Sequence, residues 1–248
     1  MRLASIVCLL AAVLTFGRPA AAQELASARP IKGVLELFTS QGCSSCPPAD
    51  ALLKSYGDSD EVIALSLPVD YWDYLGWKDT LASSKFSERQ RAYARRRGDG
   101  AVYTPQVIVN GTAHVVGSDR GQIERALAAD QARFSAGQVP VRFWLRGGTI
   151  VIETGPAPDG TQIKDATIWL AVVQKRAEVQ IQKGENRGKT VVYTNVVREL
   201  APFSMYSGVP TVIRLVRHAI MRPETEACAV LIQQGEAGPI IGAAWMGP

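Results

Sequence analysis

The sequence predicts an α/β domain followed by an all-β, sandwich-like domain. Up to Gly137, short apolar runs alternate with stretches of helical spacing, whereas after Gly137 only short β-rich runs separated by turn residues follow. Parallel strands joined through helices need cover on both faces of their sheet, and regularly spaced short strands are typical of an antiparallel sandwich. We therefore expect residues 23–137 and 138–248 to form two domains that meet near Gly137.

The first of these domains is predicted to alternate strands and helices. Apolar runs predict strands at 31–38, 61–69, 103–109 and 112–116. Helices are expected from Cys46 to Gly57, from Asp79 to Arg97, and from Ser118 or Asp119 to about Phe134. Pro47 and Pro48 suit the first turn of the first helix. Asn110-Gly111 between two β runs is a strong signal for a two-residue hairpin turn.

The second domain is predicted from its turn signals. Strands are expected at 139–146, 149–153, 166–174, 177–182, 190–200, 211–220, 227–233 and 240–245. The segment KGENRGKT, residues 183–190, joins two of them. Within it, Glu185, Asn186 and Arg187 are candidates to hydrogen-bond a partner protein or the first domain, and the alternative is a plain hairpin loop.

The N-terminus is typical of a secretory signal peptide of the Sec type. Arg2 is a short positive region, residues 4–16 are apolar but too short to span a bilayer comfortably, and Ala20-Ala21-Ala22 fits a cleavage site. An uncleaved anchor is the alternative. We expect residues 1–22 to be removed and the mature protein to be secreted or periplasmic. We also expect no stable membrane insertion after cleavage, because no later apolar run reaches about 18 residues.

The charge balance argues against a broad nucleic-acid-binding surface. The net charge is +4, and it falls to +2 when the signal peptide takes Arg2 and Arg18 with it. A charge that small attracts a polyanion only weakly, so we expect no nucleic acid among the partners. The arginine-rich run 89–97 is accordingly interpreted as a solvated helix face.

Three cysteines remain after the signal peptide: Cys43, Cys46 and Cys228. An oxidising compartment permits disulfides, and an odd count leaves one thiol over. Cys228 alternates with apolar residues in ACAVLIQ and is predicted to be a buried, inert thiol. The Cys43-Ser44-Ser45-Cys46 segment allows three interpretations, namely a redox pair, half of a metal site, or a structural clip.

Redox chemistry is the favoured interpretation of this pair. A disulfide across so short a loop gains little entropy, so stability alone explains it poorly. A zinc site needs four ligands and a copper site needs soft or imidazole partners, yet the sequence holds only His114 and His218 and no second Cys pair. We therefore expect no metal and no cofactor. A helix N-terminus favours a thiolate at Cys43, and the short gap lets Cys46 resolve a mixed disulfide.

The order of elements, with Cys-x-x-Cys between the first strand and the first helix, resembles a thioredoxin fold. The motifs LFTSQGCSSCPPAD, VDYWDYLGWKD, VYTPQVIVNG and GENRGK resemble those of a family of exported bacterial proteins that have a thioredoxin-like domain and no known function. The resemblance runs from about residue 32 to near the C-terminus. It implies an α/β thioredoxin-like N-terminal domain followed by the all-β, sandwich-like C-terminal domain.

The resemblance also implies roles for individual residues. Cys43 would attack the substrate, and Cys46 would resolve the mixed disulfide. Pro105, in Thr104-Pro105 at the start of a strand, would follow a cis peptide bond and face the cysteines. Asp70 ends its strand and is a candidate carboxylate for moving protons to and from Cys46, or else a turn-former.

The segment YWDYLGWKD holds Trp72, Tyr74 and Trp77. Because α/β folds place ligands outside strand ends, these aromatics are candidates for a substrate or partner groove, and core packing is the alternative. The favoured function is a thiol–disulfide oxidoreductase acting on thiols and disulfides of exported proteins or on a redox partner protein. The alternatives are a non-catalytic binding module with a structural disulfide and, more distantly, a copper-handling protein.

Overall fold

The structure is a computed structural model that describes residues 31–247. The predicted signal peptide, residues 1–22, lies outside the described residues. The strands are β1 (Gly33–Thr39), β2 (Val62–Pro68), β3 (Gln106–Val109), β4 (Ala113–Val116), β5 (Val141–Arg146), β6 (Thr149–Thr154), β7 (Ala166–Gln180), β8 (Thr190–Tyr206), β9 (Thr211–Val216), β10 (Ala227–Gln234) and β11 (Ile240–Met246). The helices are α1 (Pro47–Gly57), α2 (Ser84–Arg97), α3 (Arg120–Ala136) and α4 (Arg217–Ile220), and a 3₁₀ turn covers Asp73–Leu75. Between residues 31 and 247, no helix combines the length and apolar character that crossing a membrane requires.

The strands form two sheets. The larger is an eight-stranded mixed sheet with the order β11-β10-β7-β8-β2-β1-β3-β4, and the smaller is an antiparallel sheet with the order β5-β6-β9. In the larger sheet β1 runs parallel to β2, and β2 is parallel to β8 where Ser66 faces Val196. Its remaining neighbours are antiparallel.

The prediction of a thioredoxin-like domain that stands apart from an all-β sandwich is wrong. Four strands that were assigned to the second domain, β7, β8, β10 and β11, continue the sheet begun by β1–β4. The junction is the β2–β8 pair, and the side-chain amide of Asn195 extends it by donating to the carbonyl of Ala64 at 2.9 Å. Short strands with turn signals do not indicate which sheet each strand joins, because strand pairing depends on distant residues.

The large sheet curls until its two ends come close. The backbone N–H of Ile240, at the start of β11, donates to the carbonyl of Asn110 in the β3–β4 turn at 2.9 Å. Gly111 has a φ of +70°, and a Cβ there would lie 2.4 Å from the carbonyl oxygen of Gly238. The hairpin turn at Asn110-Gly111 is confirmed, but Val109 pairs with Ala113, so the loop holds three residues and not the two that were predicted. Its glycine also permits this close approach.

Both faces of the large sheet are covered. One face forms a core with α2 that combines residues from both predicted domains: Phe38, Leu65, Phe86, Tyr93, Ala229 and Leu231. On the other face, Leu35 and Leu37 belong to a core with Leu53 of α1 and Ile123 of α3. The small sheet packs against the β7 and β10 part of the large sheet. There, Ile150 and Ile152 form a core with Ile168 and Val230.

The arginine-rich run is only partly a solvated face. Arg91, Arg95 and Arg96 are exposed as predicted, but the Arg89 side chain is 5% exposed and pairs with the fully buried carboxylate of Glu36. The Arg89 Nε atom donates to Glu36 Oε1 at 2.6 Å. A second nitrogen of Arg89 donates to Gln233 Oε1 at 3.0 Å, so this helix joins β1 to β10.

Several element boundaries differ from the predicted ones. The second helix begins at Ser84 with Ser83 as its N-cap, because the carboxylate of Asp79 accepts hydrogen bonds from Gln41 and Leu81 instead of capping a helix. The two strands predicted at 166–174 and 177–182 are one strand, β7, and the strand predicted at 211–220 ends at Val216. The cap predicted at Asp119 is confirmed, since its side chain accepts from the backbone of Gln122.

Candidate functional site

The two cysteines of the Cys-x-x-Cys segment form a disulfide between β1 and α1. The Cα atoms of Cys43 and Cys46 are 5.4 Å apart, and the sulfur atoms are bonded at 2.13 Å. Cys46 is the N-cap of α1, and its carbonyl accepts the backbone N–H groups of Ala49 and Asp50 at 2.8 and 3.1 Å. The helix therefore starts where the sequence predicted, directly after the second cysteine.

The first turn of α1 presents the positive end of the helix dipole to the cysteines, but it provides few backbone hydrogen-bond donors. Pro47 and Pro48 occupy its first positions and have no backbone N–H. A thiolate at Cys43 would therefore be favoured by the positive end of the helix dipole and not by hydrogen bonds from those two positions.

The disulfide lies under an exposed turn. Ser44 and Ser45 are exposed, whereas Cys43 is 1% exposed and Cys46 is fully buried. The hydroxyl of Ser45 is 3.5 Å from the Cys43 sulfur. The loop thus reaches the surface while both of its cysteines are buried.

The 183–190 segment is hydrogen-bonded to this loop. Asn186 is fully buried, and its side-chain Nδ2 donates to the carbonyl of Gln41 at 2.9 Å and to that of Cys43 at 2.8 Å. Its Oδ1 accepts from the Lys189 ammonium at 2.9 Å. The alternative of a plain hairpin loop is therefore wrong for Asn186, which binds the first part of the chain. Glu185 and Arg187 are exposed beside it.

The aromatic segment after β2 holds the loop from another side. The indole N–H of Trp77 donates to Gln41 Oε1 at 2.8 Å, and the backbone N–H of Gln41 donates to Asp79 Oδ2 at 2.7 Å. A Cβ on Gly42 would lie 2.9 Å from the Cβ of Trp72. Trp72 and Trp77 therefore support the cysteine loop, whereas Tyr74 is 79% exposed.

Thr104 and the following Pro105 lie next to Trp72. The indole N–H of Trp72 donates to the Thr104 hydroxyl at 2.9 Å, and the Thr104–Pro105 peptide bond is cis, as predicted. A Cβ on Gly117 would lie 3.1 Å from the Cβ of Pro105 and 3.3 Å from that of Ala49 in α1. Pro105 thus approaches the first turn of α1, and the expectation that it faces the cysteines stays a prediction.

Asp70 is bound to α2. Its carboxylate accepts a hydrogen bond from the Ser87 hydroxyl at 2.5 Å, and its backbone N–H donates back to that hydroxyl at 3.3 Å. The proton-carrying role assigned to Asp70 from the sequence stays a prediction.

Two buried acids lie near the disulfide, and the sequence predicted a place in the site for neither of them. Asp50 is 2% exposed, and neither of its carboxylate oxygens has a hydrogen-bond partner. Burial raises the pKa of Asp50 well above its usual value; the nearby Thr39 hydroxyl lowers that pKa, and the charge of Asp79 raises it. That hydroxyl lies close to the carboxyl but does not form a hydrogen bond of normal geometry. The only available signal was an aspartate four residues after a cysteine that opens a helix.

The second acid, Asp79, is buried but partnered. It is 4% exposed, and burial raises its pKa to about 6 although N–H groups of Gln41 and Leu81 lower it. Tyr193 of β8 belongs to the same region. Its burial raises its pKa most, and the charges of Asp50 and Asp79 raise it further. The disulfide therefore has a buried acidic cluster close to it, which we define as Thr39, Asp50, Asp79 and Tyr193.

The remaining metal candidates are dispersed. In the part of the chain that the structure describes, no group of three or more His, Cys, Asp and Glu side chains is placed to hold a metal ion. His114 Nδ1 lies 2.9 Å from the Tyr103 hydroxyl, and its Nε2 lies 3.3 Å from Asp99. Cys228 is a free, buried thiol in the core under the small sheet, and burial raises its pKa to about 11.

Comparison with known proteins gives a family and a similar fold. The profile of a family described as "Protein of unknown function (DUF1223)" matches residues 34–233. No curated protein matches the chain. The X-ray crystal structure of protein AGR_C_4864 from Agrobacterium tumefaciens is similar, with 35% sequence identity and a TM-score of 0.77 over 88% of this chain and 94% of that chain. Because the profile spans β1 to β10, the chain belongs to the DUF1223 family of proteins of unknown function.

Proposed function

We propose that this protein is a secreted or periplasmic thiol–disulfide oxidoreductase. Its substrates would be thiols and disulfides of exported proteins or a redox partner protein. The observation that carries the proposal is the disulfide between Cys43 and Cys46 at the first turn of α1. Because the two cysteines are only three positions apart, the bond closes a very short loop and contributes little to stability by restricting the unfolded chain.

The exchange has two steps. A partner thiolate attacks the Cys43 sulfur, the bond to Cys46 breaks, and Cys46 leaves as a thiolate. A second partner thiolate then attacks the mixed disulfide, which releases Cys43 and gives a partner disulfide. The pair accepts two electrons in this direction and returns them in the reverse direction.

The burial of the disulfide favours a second candidate function. Cys43 is 1% exposed and its backbone carbonyl is bonded by Asn186, so an attacking thiolate reaches its sulfur only when the structure around it opens. A binding module with an inert structural disulfide requires no such movement. The two candidates differ in the reduction potential of the pair and in its rate of exchange.

Both quantities are measured on one preparation. The protein is equilibrated in glutathione buffers of graded ratio, quenched with acid and analysed by mass after alkylation, and exchange with reduced insulin is followed in parallel. A potential above roughly −300 mV together with exchange supports the oxidoreductase. A potential below roughly −300 mV without exchange contradicts it and favours the binding module. A Cys228→Ser variant serves as the control and should behave like the natural chain.

A further inference from the structure

We propose that the face of the small sheet turned away from the large sheet docks on an anionic membrane surface. The inference goes beyond the proposed redox function, because it concerns the small sheet and not the disulfide. It depends on the register of β5, β6 and β9, on the charges that this register places on one face, and on the apolar side chains exposed between those charges.

The register of the small sheet separates its two faces. Directly paired residues of a sheet share a face, and successive residues along a strand alternate between faces. The inner face carries Ile150, Ile152 and Leu215, which belong to the core shared with the large sheet. The other face, which we call the outer face, therefore carries Arg142, Trp144, Arg146, Thr149, Val151, Glu153, Val212, Arg214 and Val216.

The outer face is cationic. Arg142 and Arg146 on β5 and Arg214 on β9 are all exposed. The carboxylate of this face belongs to Glu153, which lies 3.5 Å from the guanidinium of Arg142. Within residues 31–247, the side chains of Arg146 and Arg214 form no ion pair and no hydrogen bond. Both guanidinium groups are therefore available to an anionic partner.

Apolar side chains are exposed between these cations. Val212 is 47% exposed and Val216 is 51% exposed, and they stand on either side of Arg214 along the same face of β9. Trp144 is half-buried, and Val151, which pairs with Trp144 on one side and Arg214 on the other, is 5% exposed. The outer face therefore offers positive charge and apolar contact side by side.

An anionic bilayer surface matches both properties. Guanidinium groups bind phosphate oxygens, and each basic residue close to an anionic membrane strengthens binding about fivefold. Indole rings are enriched at the membrane–water interface, and exposed aliphatic side chains are stabilised when they leave water there. An acidic protein segment would satisfy the arginines but gives no reason for the exposed valines. The contact we infer is with the bilayer surface and involves no insertion of a segment.

Co-sedimentation with lipid vesicles tests the proposal on protein purified from its host cell. The vesicles consist of phosphatidylcholine alone or of equal parts phosphatidylcholine and phosphatidylglycerol. The test variant combines Arg142→Gln, Arg146→Gln and Arg214→Gln. The control variant removes the same charge from the exposed face of α2 by combining Arg91→Gln, Arg95→Gln and Arg96→Gln. The pair of variants separates a local docking surface from an effect of net charge.

The natural chain should bind the vesicles that contain phosphatidylglycerol and not the neutral ones. This binding should weaken between about 0.1 M and about 1 M salt, because salt screens exposed charges. The test variant should bind about 100-fold more weakly, as expected from three losses of about fivefold. The control variant should bind like the natural chain. Equal losses in both variants, or equal binding to both kinds of vesicle, would overturn the proposal.

A fluorescent label gives a second measurement that leaves the arginines in place. In a Cys228→Ser background, Val212→Cys carries the label on the outer face, and Val116→Cys carries it at an exposed position on β4. Anionic vesicles should shield the label at position 212 from a water-soluble quencher and leave the label at position 116 accessible. Equal shielding of both labels, or of neither, would contradict the proposal. Binding of poly-glutamate without binding of vesicles would replace the membrane by an acidic protein partner.

Discussion

The side chain of Asn186 holds the loop that carries Cys43, although the two residues are 143 positions apart in the sequence. Its amide donates to the Cys43 carbonyl at 2.8 Å and to the Gln41 carbonyl at 2.9 Å. Asn186 is fully buried, so these two hydrogen bonds tie its loop to the backbone of the cysteine loop. The position of the cysteine loop therefore depends on a segment that is distant in the sequence.

Replacing Asn186 should expose the disulfide. Asn186→Ala removes two buried hydrogen bonds, each worth about 1 kcal/mol, and so lowers the free energy needed to lift the loop. The rate of reduction by excess dithiothreitol should rise about tenfold or more. Glu185→Ala, an exposed neighbour, should leave the rate unchanged. Equal rates in all three proteins, measured by alkylation and mass, would show that this loop does not control access.

Asp79 should make the protein less stable as the pH rises. Burial raises the pKa of Asp79 from 3.8 to about 6 in the folded protein. The folded state therefore binds this proton more tightly than the unfolded state, and that stabilisation is lost between about pH 4 and pH 6. The expected loss is about 3 kcal/mol, read from urea unfolding at several pH values. Asp79→Asn should flatten the decline without abolishing it, because Asp50 acts in the same direction. An unchanged slope in the variant would count against this assignment.

Arg89 should contribute more to stability than its exposed neighbours. Arg89→Ala leaves the buried Glu36 carboxylate without its cation and should lower the free energy of unfolding by about 3–5 kcal/mol. Arg95→Ala breaks only an exposed pair with Glu236 at 3.5 Å and should cost at most about 1 kcal/mol. Chemical denaturation of both variants tests the difference. Equal losses would mean that α2 does not connect β1 and β10 as described.

Cys228 should be unreactive in the folded protein. The thiol is fully buried, its sulfur lies 3.1 Å from that of Met221, and burial raises its pKa to about 11. Iodoacetamide at mildly alkaline pH should label no cysteine in the native protein and Cys228 alone in denaturant, because the thiolate is the reactive form. Rapid labelling of Cys228 without denaturant would contradict its assignment as a buried, inert thiol.

Local elements of this fold follow from the sequence, but their assembly does not. The Asp119 cap and the Asn110-Gly111 turn lie where short-range signals predicted them. The join between the two halves depends instead on one parallel pair, Ser66 with Val196, and on the buried amide of Asn195. An alternating pattern shows which side chains share a face of a strand, but it does not name the strand beside it.

The candidate site divides in the same way. Cys43, Cys46 and Asn186 stand out in the sequence because they belong to conspicuous motifs. Asp50 does not, because an acid in a first helical turn is ordinary, and only its burial without a partner makes it unusual. The sequence does not distinguish Arg89 from the exposed arginines around it either. Its burial depends on what distant strands place around the side chain.

The most direct test of the redox account is a comparison of Cys46→Ala with Cys43→Ala, each combined with Cys228→Ser. Both proteins are produced in the host cell, quenched with acid and separated by non-reducing electrophoresis. If Cys43 attacks and Cys46 resolves, Cys46→Ala should accumulate mixed disulfides with exported proteins through Cys43, and Cys43→Ala should accumulate none. A structural clip would give no adducts in either variant and the same modest loss of stability. Equal absence of adducts would therefore contradict the account and leave the binding module as the better description.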